Sequence, residues 1–95
     1  DWKSNQQEIK SLLSNIPFHS EYLDGEIKIY NKKPDRPITY EVLDVYGNKL
    51  ITGNVSKENS ALIIISISEL PDNGIYTIVL TSSEYEDRVW SQFKK

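Results

Sequence analysis

Cysteine and methionine are absent from this 95-residue chain, and histidine occurs once, at His19. Without cysteine there is no disulfide framework, no thiolate nucleophile and no sulfur-ligated metal site. A single imidazole makes no two-histidine metal site. A Ser–His–carboxylate triad would need His19 beside a serine on a nucleophile elbow, and no Gly-x-Ser-x-Gly is present. The plainer reading of His19 is a strand histidine that faces solvent or is hydrogen-bonded. Gly-rich phosphate loops are also missing, so no cofactor is expected. The best apolar run, 61–65, is strand length and far short of the roughly 20 residues of a membrane span. Eleven Lys and Arg stand against fourteen Asp and Glu, a net charge of −3. That argues against nucleic acid, which selects a basic face. The chain starts at Asp1 and contains no Met, as a processed or trimmed product would, and a removed signal peptide is one natural explanation. On that explanation the expected location is secreted, periplasmic or cell-surface.

What the chain does contain is β signal. A length of 95 residues suits one domain with one core, burying roughly 60–68% of the extended chain's surface. Asp24-Gly25 separates two short alternating runs and suits a two-residue hairpin turn, whose central residues both need positive φ. Ile27 and Ile29 then point inward and Lys28 and Tyr30 outward. The segment 31–37 carries Pro34, Pro37, Lys32, Lys33 and Arg36. It cannot pair as a central strand and is expected to cross between sheets.

The run 38–45 is the longest strand candidate, with Ile38, Tyr40 and Val42 on one face. Asp44 and Gly47 bracket a tight turn, the carboxylate taking local N–H groups and the glycine supplying positive φ. Residues 49–55 return as a polar strand containing Gly53, suited to an edge. The run 61–67 is apolar on both faces, which places it centrally, with Ile63, Ile65 and Ile67 in the core.

Leu70-Pro71-Asp72-Asn73-Gly74 forms a turn, and the next strand has Tyr76, Ile78 and Leu80 inward. A tyrosine there, just past a corner between sheets, packs its ring inside and returns its hydroxyl to the preceding loop. After an acidic turn, the run 88–93 closes the chain with Val89 and Phe93 on one face. Seven strands with frequent turn signals predict an all-β, immunoglobulin-like or fibronectin-III-like sandwich of antiparallel strands in two sheets. The body spans 17–95. Residues 1–16 show helical spacing at Ile9, Leu12 and Leu13, yet so short a helix is marginal in water. An extended arm adding to a sheet edge is preferred.

The order of these signals resembles a family of small secreted immunoglobulin-like proteins of unknown function from Bacteroidetes. The resemblance rests on Asp24-Gly25, Ile27-x-Ile29, Ile38-x-Tyr40-x-Val42-x-Asp44-x-x-Gly47, Ile65-x-Ile67, Leu70-Pro71, Gly74-x-Tyr76-x-Ile78-x-Leu80 and Phe93. Trp2 resembles the tryptophan often found near such N-termini. Ser91 departs from the glycine usual before the closing Phe. The Asp-x-x-Gly and Gly-x-Tyr pieces, with Lys94-Lys95, are also similar to type IX (Por-type) secretion C-terminal sorting domains. The resemblance implies a sandwich and an extracytoplasmic location, and it carries no reaction.

Candidate binding chemistry lies in charged loops and outward aromatics. Glu84, Glu86 and Asp87 offer oxygens of the kind calcium prefers, but their spacing matches no calcium loop and reads better as a solvated hairpin tip. No metal site is expected. Tyr30, Tyr46, Tyr85 and Trp90 fall on outward parity or in turns and form the candidate binding surface, with Trp90 the expected anchor. Edge packing is the alternative explanation for each of them. The expected function is an exported, non-enzymatic module for a protein or glycan partner. The rival is a sorting or structural domain for type IX secretion.

Overall fold

Alternation of apolar and polar residues is translated directly into strands in the computed structural model, which describes residues 2–4, 16–84 and 88–95. Seven strands are five to seven residues long: β2 (Phe18–Leu23), β3 (Glu26–Asn31), β4 (Ile38–Leu43), β5 (Lys49–Val55), β6 (Leu62–Ser66), β7 (Ile75–Thr81) and β8 (Arg88–Lys94). A two-residue strand, β1 (Lys3–Ser4), precedes them. All pairings are antiparallel, in a large sheet ordered β1-β8-β7-β4-β5 and a small sheet ordered β2-β3-β6. The fold is the expected all-β sandwich. Lys3–Ser4 pairs with the β8 edge; of the 1–16 arm only residues 2–4 and 16 are described, and the rest of it, residues 1 and 5–15, lies outside the described residues.

The turns behave as their residues require. Asp24 (φ 54°) and Gly25 (φ 77°) both take the left-handed conformation that joins β2 to β3. The proline-rich 32–37 segment carries the chain from the small sheet to the large one.

Ile27, Ile29, Ile63 and Ile65 of the small sheet face Ile38, Val42, Tyr76, Ile78, Leu80 and Val89 of the large sheet, and Ile67 and Leu70 complete the core. Each large aliphatic side chain removed from water contributes about 1.5–3 kcal/mol before the entropy of ordering is counted. Trp2 packs on Phe18 at 5.6 Å between ring centroids, and Tyr22 on Phe93 at 6.3 Å. These contacts set β2 above the β1–β8 side of the large sheet; among the described residues β6 ends the small sheet and β5 the large one at their other edges.

The apolar run at 61–67 is not a central strand. β6 is an edge strand whose only neighbour among the described residues is β3. Ile63, Ile65 and Ile67 are buried as expected, but Leu62 is 42% exposed and Ile64 48%. Apolar residues on both faces signal burial only where a second layer covers the outer face, and no such layer lies on this three-stranded sheet among the described residues.

The tyrosine corner is built as the sequence implies. Tyr76 Oη donates to the Pro71 carbonyl at 2.7 Å, and its ring lies 5.5 Å from that of Phe93. Gly74 is required by close approach: a Cβ there would sit 2.5 Å from Tyr76 Oη. Lys95 locks the same loop. Its amide donates to Gly74 O at 3.0 Å, its carbonyl accepts from Asn73 N–H at 2.9 Å, and its Nζ donates to Ser68 O at 3.0 Å and to Leu70 O. The Lys95 side chain is almost wholly buried, so it is part of the corner and not a free basic tail.

Candidate functional site

Strand parity decides what each sheet shows to solvent. On the small sheet the outward residues are His19, Glu21 and Leu23 of β2, Glu26, Lys28 and Tyr30 of β3, and Leu62, Ile64 and Ser66 of β6. Cross-strand register arranges them in three rows: His19–Tyr30–Leu62, Glu21–Lys28–Ile64 and Leu23–Glu26–Ser66. Tyr30 stacks on His19, with ring centroids 6.1 Å apart, and its hydroxyl donates to Glu21 Oε1 at 3.2 Å. His19 Nε2 lies 3.8 Å from Glu21 Oε2. The lone histidine thus takes the plainer role of a solvent-facing strand residue. Tyr30, Leu62 and Ile64 form an exposed aromatic and aliphatic strip beside the free β6 edge.

Trp90 belongs to the other sheet. It faces outward from β8, opposite Lys3 on one side and Val79 on the other. The indole is half-buried, and the Arg88 guanidinium carbon sits 5.2 Å from its ring centroid, a cation–π arrangement. Tyr30 and Trp90 therefore occupy opposite outer faces of the sandwich and cannot meet on one flat ligand.

Tyr46 stands at the β4–β5 turn and is 86% exposed. The turn is held rigid by Asp44, whose Oδ1 accepts from the N–H groups of Tyr46 at 2.8 Å and Asn48 at 2.9 Å; its Oδ2 accepts from Asn48 Nδ2 at 3.0 Å. Gly47, at φ 85°, donates its N–H to Asp44 O at 3.1 Å. The side-chain hydrogen bond from Asn48, followed by backbone N–H groups, holds the Asp44 carboxyl below its ordinary range. Tyr85 lies outside the described residues.

The two charged loops open at the same end of the molecule, because Thr39, just past the 32–37 loop, pairs with Thr81, just before the acidic turn. In the basic loop, Arg36 Nε donates to Asp35 Oδ1 at 2.7 Å, and Lys33 Nζ approaches Asp35 Oδ2 at 4.0 Å. Arg36 is the main reason the Asp35 carboxyl is lowered. Glu84 is exposed; Glu86 and Asp87 lie outside the described residues. Among the described residues no group of three or more His, Cys, Asp or Glu could hold a metal ion. No helix among them is long and apolar enough to cross a membrane.

Reading the sequence missed Leu62 and Ile64 as surface residues because it assigned them to a central strand. Among the described residues no strand other than β3 flanks β6.

No protein-family profile matches the chain, and no curated protein does. Among solved structures, one similar chain is the crystal structure of a DUF3244 family protein with an immunoglobulin-like β-sandwich fold from Bacteroides vulgatus ATCC 8482. The two superpose with a TM-score of 0.76 at 24% sequence identity, over 86% of each chain. This chain has the immunoglobulin-like β-sandwich fold of that protein.

Proposed function

We propose that this protein is an exported, non-enzymatic immunoglobulin-like module that recognises a protein or glycan partner. It would stand among the small immunoglobulin-like proteins of unknown function from Bacteroidetes, a placement supported by the fold shared with the Bacteroides vulgatus protein. The observation that carries the reading is the outer face of the small sheet, where Tyr30, Leu62 and Ile64 are exposed side by side next to Glu21 and Lys28. A contiguous apolar strip rimmed by charge is the surface pattern of an interaction site. Tyrosine adds a rigid, amphipathic contact at low entropic cost.

Tyr46 is the second element of the proposal. Its backbone is fixed by Asp44 before any partner arrives, which reduces the ordering cost of binding. Trp90, half-buried beneath Arg88, is the less accessible of the outward aromatics. Two binding measurements test the reading, a glycan array and cross-linked capture from a cell-surface extract. Wild type is compared with Ile64→Lys, Tyr30→Ala and Tyr46→Ala. Loss of capture in Ile64→Lys and Tyr30→Ala is expected; capture equal to wild type in all three would overturn the proposal.

A further inference from the structure

We draw no further inference here: the strongest candidate, the free edge of β6 beside the outward Leu62 and Ile64, adjoins the face already described, and nothing in the structure shows what covers it.

Discussion

Tyr76 joins two structural tasks in one side chain, since its ring fills the core beside Phe93 while its hydroxyl ties down the Pro71 carbonyl. Tyr76→Phe keeps the ring and removes the hydrogen bond, leaving an acceptor unpaired in a partly buried loop. A cost of about 1–2 kcal/mol is expected, read as a lower urea midpoint with an unchanged m-value. A midpoint equal to wild type would show that the hydroxyl contributes nothing. The glycines that face tyrosines give a sharper contrast. A Cβ on Gly74 would meet Tyr76 Oη at 2.5 Å, and one on Gly53 would meet Tyr40 Cζ at 2.3 Å. The two distances are similar, but the rings differ in freedom. Tyr76 is buried and hydrogen-bonded, whereas Tyr40 is only half-buried, its ring lying over Gly53 of the edge strand β5. Gly74→Ala is therefore expected to cost more than Gly53→Ala, by roughly 1 kcal/mol or more. Chemical denaturation of the pair decides the point, and equal costs would contradict it.

At the scale of single elements, the β4–β5 turn couples stability to pH. The Asp44 carboxyl has a folded-state pKa below its unfolded value. Its contribution is thus fully present above the unfolded pKa of about 3.9 and is lost as pH falls through the folded pKa. Asp35, lowered chiefly by Arg36, acts in the same direction. Asp44→Ala should be less stable than wild type at neutral pH and should lose less stability on acidification below about pH 4. Urea midpoints measured from pH 7 to pH 2.5 test this, and parallel curves would refute it. This turn was legible in the sequence because Asp44 and Gly47 act through local backbone chemistry, whereas the Asn48 side chain that also holds Asp44 was not read. The faces of β3, β4 and β7 were legible for a similar reason, since a period of two assigns inward and outward residues without knowledge of partners. The position of β6 was not legible. Its two-sided apolar pattern is compatible with a central strand or with an uncovered face, and only sheet topology separates these. Parity likewise marked Tyr30 and Trp90 as outward but carried no information on which sheet each belongs to.

For the whole molecule, lopsided layering governs what can be recognised. Five strands face three, so the small sheet presents its outer rows and the β6 edge without cover among the described residues. Ile64→Lys alters only a solvent-facing position, so it should change stability by no more than about 0.5 kcal/mol. A large loss of stability would mean that Ile64 packs on something and is not free to bind. The same arrangement of strands also sets a timescale. Adjacent-strand hairpins β2–β3, β4–β5 and β7–β8 close locally, but β4 must find β7 and β3 must find β6 across about a third of the chain or more. Closing such loops costs entropy before any contact is gained. Refolding should therefore take milliseconds to seconds, as in other sandwiches dominated by distant pairings. Stopped-flow fluorescence would follow it through Trp2 and Trp90, one on each side of the β1–β8 pairing that completes the large sheet.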